Sequence, residues 1–433
     1  WIADIRAILQ TYRKEFDWEK TPHEGLNTAS AREVDPKPEG FNPRVRWHVS
    51  KRSEYLVLTG ILLFAVAVRA YGFTTWSLWI DEIYTLTYRS QLPVAELLYI
   101  ERDPHPPLYF LLMKGWLSVT EVSQAAGAAF SAFWSVAAIG VVHLFTRRLY
   151  DNLTGLMASG MLAVSTLHIH LGRNIRMYSL LVFLAVLSWY AHTHLRAGDR
   201  KWSVVYALAT VAMLYTHVYG VFILASQYAY FALSATGRTY TRRWVKLQAV
   251  TGLAYFPWVV LLATQVLGQI SDTGQTAVGW IPEPSFALLR DTLLAYAGFP
   301  TYYPIQTTSA LAWGVAFGLL LVFNVVMLLA IISDADPDGS PDFVIADLKQ
   351  ASILGLFFLA PTVVPFVASY VVFPIYFPRF SFVASVPLVI LVARGIVNTA
   401  YHPRFQRALV LVVFVSAAVT GATYYTSDTA EDW

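Results

Sequence analysis

Residues 56–73, LVLTGILLFAVAVRAYGF, decide the fold, together with the stretch that follows them at 76–84, WSLWIDEIY. Eighteen residues carrying one charge, Arg69, are about long enough to cross a hydrocarbon core as a helix. Adjacent carboxylates, Asp81 and Glu82, stand just beyond the run. Carboxylates beside a bilayer are costly to desolvate and are retained where they have a task.

The pattern recurs along the chain. Of the 433 residues 56% are hydrophobic, more than a soluble protein of this length tolerates on its surface. Apolar runs predict eleven spans: 56–73, 128–146, 155–170, 177–195, 202–216, 221–235, 247–267, 310–332, 353–373, 382–397 and 408–426. The expected fold class is therefore an all-α polytopic membrane protein. A net charge of +3, with basic residues scattered between the runs, excludes a nucleic-acid partner. The absence of cysteine excludes disulfides, thiolate metal sites and a cysteine nucleophile. The first residue is Trp1 and not Met, so an upstream segment is expected.

Basic clusters set the orientation. Lys51 with Arg52, Arg147 with Arg148, and the clusters within 196–201, 238–246 and 394–407 all belong on the cytoplasmic side under the positive-inside rule. One alternation satisfies all five, provided that 106–119 is an interfacial or re-entrant helix and not a twelfth span. The chain then divides into a polar cytoplasmic segment 1–55, a membrane domain 56–426 and an outer tail 427–433. Within the domain lie a first outer loop, 74–127, and a cytoplasmic linker, 333–350, rich in Asp, Gly and Pro. Residues 2–16 could lie on the inner membrane face, although a partly ordered tail is the plainer reading. Arg-rich usage, 23 Arg against 8 Lys, leans toward a prokaryotic plasma membrane.

This topology gathers Asp81, Glu82, Asp103, His105, Arg173, Arg176, His217, Asp272 and Arg379 on the outer side. The segment 202–235 is barely long enough for two spans, each leg rising about 22 Å. Its apex at 216–220, which holds His217, is expected to be recessed and to face a polar cavity.

Five segments in order resemble the polytopic GT-C glycosyltransferases, nearest to the protein-mannosyltransferase-like and aminoarabinose-transferase-like branch. They are WSLWIDEIYT at 76–85, DPHPPLYFLLMKGW at 103–116, HLGRNIRMYSLLVFLAVLSWY at 170–190, YTHVYGVFILASQ at 215–227 and FPRFSFVASVPLVILVARG at 377–395. The resemblance implies transfer of a sugar from a polyprenyl-phosphate donor, dolichyl or undecaprenyl, to a protein, lipid or glycan acceptor on the outer face, usually with inversion. It places the acidic pair, here Asp81 and Glu82, at the reaction centre. Where relatives often show Gln-Glu-Ala-Arg, this chain has Arg173-Asn174-Ile175-Arg176, so a carboxylate is lost at Asn174 and a guanidinium gained at Arg173.

The residue chemistry runs parallel. A hydroxyl acceptor needs its proton removed as the bond forms, and Asp81 suits that role; its plain alternative is a helix N-cap. Glu82 would orient the base or the acceptor. The leaving phosphate gathers negative charge that arginine forks stabilise, which makes Arg176, Arg379 and Arg173 candidates, with snorkelling as the alternative. His105, His217, Tyr178 and Tyr219 are expected to touch substrate. Asp103, His105 and His217 could hold a divalent metal, although no metal-ligand spacing joins them. A secondary transporter or flippase for an anionic lipid is the alternative function; such folds show inverted repeats and broken midplane helices.

Overall fold

The computed structural model describes residues 49–75, 77–98, 103–234, 237–273, 281–296, 348–371, 373–399 and 403–426. Segment 1–48, the span at 310–332, the linker up to 347 and the tail 427–433 lie outside the described residues. Those described form helices and connections, with no strand among them.

Polar caps start the helices where the apolar runs begin. Helix α1, Lys51–Ala70, opens at Ser50, whose hydroxyl accepts the Ser53 N–H at 3.1 Å. It stops at Gly72, where φ is +68° and an added Cβ would lie 2.7 Å from Thr75 Oγ1, so only glycine fits. Three short helices follow: α2, Ile80–Ile83, which widens into a π turn over Tyr84–Tyr88; α3, Val94–Leu98; and α4, Leu108–Val119. Helix α5, Gln124–Leu149, is capped by Ser123, and α6, Asn152–Val164, by Asp151. Ser165 breaks the next expected span, because its extended backbone ends α6 while its hydroxyl caps α7, Thr166–Arg173. The chain continues through α8, Tyr178–His192, α9, Arg200–Leu214, α10, Gly220–Leu233, α11, Arg238–Thr273, and α12, Phe286–Tyr296. It ends with α13, Leu348–Val371, α14, Pro378–Ser381, α15, Ser385–Asn398, and α16, Pro403–Thr426.

Ten of the eleven expected spans coincide with helical segments. Seven are long and apolar enough to cross a membrane by length and composition: α1, α5, α8 with the turns that continue it to Ala197, α11, α13, the continuous α14–α15 segment and α16. Helices α6, α9 and α10, with 13, 15 and 14 residues, are shorter than the roughly 20 that a crossing needs, so the count of eleven is not reached by length alone.

Contacts assign each helix end to one of two ends of the bundle. At one end Glu54 of α1, fully buried, accepts from His143 Nε2 at 2.8 Å, Arg147 at 2.7 Å and Asn152 at 2.7 Å, while Asp151 meets Arg394 at 2.9 Å. At the other end Arg69, also fully buried, donates to Ser135 at 2.8 Å and to the terminal carbonyls of α6, Leu162 and Ala163, at 3.3 Å. Those carbonyls lack helical partners, and the guanidinium supplies them. An added Cβ at Gly172 would meet Ser135 Oγ at 2.6 Å, so α7 can lie across this knot only as glycine.

Helix α4 begins and ends at the Arg69 end. The Leu108 N–H donates to the Tyr215 carbonyl at 2.9 Å, Tyr109 bonds Ser131 at 2.8 Å, and Trp116 Nε1 donates to the Ala126 carbonyl at 2.9 Å near the start of α5. It does not traverse the bundle. The core runs along α5, which packs on α6 and α8, with α9 against α8, α10 against α13, and α15 against α6 and α13.

Candidate active site

Glu82 builds the frame. Its Oε2 accepts the Trp79 N–H at 3.3 Å across the first turn of α2, and its Oε1 accepts the Ile175 N–H at 2.8 Å. The buried carboxylate thus clamps the start of α2 to the link between α7 and α8, one residue before Arg176. These two bonds hold backbone, which places Glu82 where it orients the turn that carries Asp81.

Asp81 occupies the first turn of α2, behind Trp79 at the cap position, so capping does not engage it. Its side chain is 34% exposed, and one oxygen, Oδ2, lies 3.9 Å from Arg176 Nη2 and 3.7 Å from Arg379 Nη2. Arg176 is buried and donates through Nη1 to Thr85 Oγ1 at 3.0 Å; Thr85 in turn donates to the Asp81 carbonyl at 2.7 Å. Arg379 lies over the Trp79 ring at 4.5 Å and the Phe377 ring at 4.9 Å, which fixes its charge beside Asp81 by cation–π attraction. Three sequence candidates from elements far apart in the chain therefore share one carboxylate oxygen.

A second carboxylate organises the loop before α4. Asp103 Oδ1 accepts both the His105 N–H at 3.0 Å and the His105 ring Nδ1–H at 2.7 Å. Its Oδ2 faces Arg89 Nε at 3.5 Å and the Tyr84 hydroxyl at 3.5 Å. Burial opposes this charge, but His105 and then Arg89 overcome it and hold the Asp103 carboxyl well below the usual carboxylate range. Burial, with the Asp103 charge adding to it, pushes the Tyr84 phenol up to about 12. Arg89 was not foreseen. It is buried, lies 4.7 Å from the Phe110 ring centroid and donates to the His105 carbonyl at 3.4 Å. The signal that picks out Arg176, an arginine on the face where positive charge is disfavoured, applies equally to it.

His217 comes from the turn between α9 and α10, drawn to this loop by the Leu108–Tyr215 bond. Its Nδ1 accepts the Tyr219 N–H at 3.1 Å, so the ring proton sits on Nε2. Burial, reinforced by the charges of Arg176 and Arg379, holds its pKa well below the ordinary histidine value, and the ring is neutral. Its centroid lies 5.9 Å from that of His105, 6.2 Å from Tyr178 and 5.2 Å from Phe380. Tyr219 is spent on structure: its hydroxyl donates to the Ile375 carbonyl at 2.9 Å and accepts the Phe377 N–H at 3.4 Å, anchoring the strand of chain that leads to Arg379.

Arg173 points elsewhere. It donates to the Gly72 carbonyl and stands by the rings of Phe73 and Tyr425, tying α7 to the ends of α1 and α16. The expected metal trio also fits poorly. Both Asp103 oxygens already face donors, the His217 Nε2 carries a proton, and Arg176 Nη2 lies 3.4 Å from His105 Nε2. No group of three His, Asp or Glu that could hold a metal occurs among the described residues. The donor set suits an anion.

Residues 104–261, about a third of the chain, match the family model described as dolichyl-phosphate-mannose-protein mannosyltransferase. No curated protein sequence matches the chain. In structure it is similar to the oligosaccharyltransferase of Archaeoglobus fulgidus, with TM-score 0.58 and 13% identity over 89% of this chain and 57% of that one. It is also similar to ArnT from Cupriavidus metallidurans, with TM-score 0.56 and 12% identity over 88% of this chain and 67% of that one. The fold is that of the GT-C glycosyltransferases. ArnT bound to undecaprenyl phosphate superposes with TM-score 0.54 and 11% identity, over 86% of this chain and 64% of that one. The chain spans less than two thirds of the archaeal enzyme, and the GT-C fold is what it shares. The family-model match includes Arg176, His105 and His217, but begins after Asp81 and ends before Arg379.

Proposed function

We propose that this integral membrane protein transfers a monosaccharide from a polyprenyl-phosphate donor to a hydroxyl of a protein, lipid or glycan acceptor. The single observation that carries the reading is the placement of Arg176 and Arg379 on one oxygen of Asp81. Two guanidinium groups held beside a part-exposed carboxylate supply what the reaction needs, a phosphate clamp adjoining a base. The undecaprenyl phosphate bound to ArnT and the dolichyl phosphate in the matching family's name support the donor class.

In the proposed step the acceptor oxygen attacks the anomeric carbon from the face opposite the phosphate, which inverts the configuration. Its proton passes to an Asp81 carboxylate oxygen as the bond forms. The bond from the anomeric carbon to the phosphate oxygen breaks, and its electron pair stays on that oxygen. Arg176 and Arg379 meet the charge that gathers there, and arginine can do so with two parallel hydrogen bonds. The positive-inside rule supports an extracytoplasmic position for this end of the bundle.

The test uses the purified chain in lipid nanodiscs with synthetic undecaprenyl-phosphate and dolichyl-phosphate sugars and a mixture of candidate acceptors. Release of free polyprenyl phosphate coupled to an inverted glycoside supports the reading. Movement of the intact lipid-linked sugar across a bilayer without cleavage would replace it with the flippase alternative.

A further inference from the structure

The two histidines of the site offer opposite hydrogen-bonding capacity. Asp103 takes the Nδ1 proton of His105, so its Nε2 presents a lone pair. The Tyr219 N–H occupies Nδ1 of His217, so its Nε2 presents a proton. That Nε2 is buried and has no partner, and the same holds for Nε of Arg176. The contact of Arg176 Nη2 with His105 Nε2, at 3.4 Å, is long for a hydrogen bond and leaves the lone pair available to a better donor. Buried donors without acceptors are costly, and their clustering here points to a ligand that satisfies them.

We infer that His105 and His217 together read one hydroxyl of the donor's sugar, so that the sugar is neutral and hydroxyl-bearing at that position and does not carry an amino group there. This rests on the function proposed above. A hydroxyl gives its proton to His105 Nε2 and accepts the proton of His217 Nε2 at the same time. A protonated amine has protons but no lone pair. It leaves the His217 N–H unmatched and brings a positive charge among Arg89, Arg176 and Arg379. A deoxy sugar leaves both histidines unmatched. Arg89 and Asp103 act as positioning residues in this scheme, because they fix which nitrogen of His105 carries the proton.

The experiment measures equilibrium binding to the full chain in nanodiscs. The probes are bare undecaprenyl phosphate, its mannosyl and arabinosyl conjugates, and the same conjugates with each hydroxyl replaced in turn by hydrogen or by an amino group. One position should stand out, where both replacements weaken binding by roughly 10- to 100-fold. His217→Phe should narrow the gap between the parent conjugate and its deoxy analogue to what His105 alone supplies, while leaving bare undecaprenyl phosphate bound as before. His217→Gln, which keeps an N–H donor, should recover part of the difference. Amino conjugates that all bind within about threefold of their parents overturn the inference. So does discrimination that is undiminished in His217→Phe. If that variant also loses the bare lipid, the analogue series on the unaltered protein decides alone. Failure of every probe to bind, bare undecaprenyl phosphate included, sinks the proposed function itself, a result distinct from loss of sugar discrimination.

Discussion

Asp81 is restrained as well as placed. One Asp81 oxygen lies near two guanidinium groups, and the groups that restrain it are the ones a phosphate would claim. Donor binding should therefore draw Arg176 and Arg379 toward the phosphate and release Asp81 for the acceptor. Two outcomes follow for Asp81→Asn. Transfer should fall by about 100-fold or more. Bare undecaprenyl phosphate should bind several-fold more tightly, since the arginines lose a resident competitor worth up to about 1 kcal/mol per part-exposed pair. Titration calorimetry reads the second effect, and weaker binding by the variant would show that Asp81 does not compete with phosphate. Arg176→Lys should lose donor affinity despite keeping its charge, because the Thr85 contact and the phosphate fork both need the planar guanidinium. Wild-type affinity in that variant would remove Arg176 from the clamp.

At the scale of elements, short polar connections hold the site together. Glu82 joins α2 to the link before α8, so Glu82→Ala leaves the buried Ile175 N–H without its acceptor, at a cost of about 1–3 kcal/mol. Thermal unfolding in detergent should show a lowered midpoint, and transfer should fall because Arg176 is the next residue; an unchanged midpoint would argue against the clamp. Asp103 anchors the 103–107 loop through a carboxyl whose pKa is depressed on folding. Its stabilisation is fully present above the unfolded carboxylate value of about 3.9 and is lost only as pH falls through the lower folded value. The gap in midpoint between the parent and Asp103→Asn should stay constant from about pH 8 to about pH 5. A gap that closes within that window would mean that the ion pair is not what holds the loop. The helices themselves were legible in the apolar runs, since burying or solvating so much apolar surface leaves a membrane bundle as the available solution. The break at Ser165 was not, because a single cap inside a continuous apolar run leaves no mark in hydropathy. Nor was the direction of Arg173 against that of Arg176. Arg173 closes α7 and Arg176 stands on the link that follows, and packing against Gly72 and Tyr425 turns Arg173 away.

For the whole molecule, the two ends of the bundle were separable by counting charges before any contact was known. Asp81, Arg176, His217 and Arg379 do meet at one end, and Glu54, Arg147, Asp151 and Arg394 meet at the other. What charge counting adds to this geometry is a direction across the membrane. By that count the basic end, with Lys51, Arg147, Arg148, Arg238, Arg242 and Arg243, is expected inside. Because the chain has no cysteine, single cysteines report on this without background. Ile83→Cys at the end of α2, and Pro104→Cys and Phe373→Cys in connections at the site end, should react with a membrane-impermeant maleimide added to intact cells. Tyr150→Cys, Asp199→Cys and Arg238→Cys should react only after the membrane is opened. The reverse pattern would leave the site intact but turn it to the cytoplasm, where the donor would have to be presented from the inner leaflet. Labelling of both Pro104→Cys and Tyr150→Cys from outside would be more damaging. It would make 106–119 a true crossing, against the contacts of Tyr109 and Trp116 with the first turns of α5, and Arg176 could then share no site with Asp81.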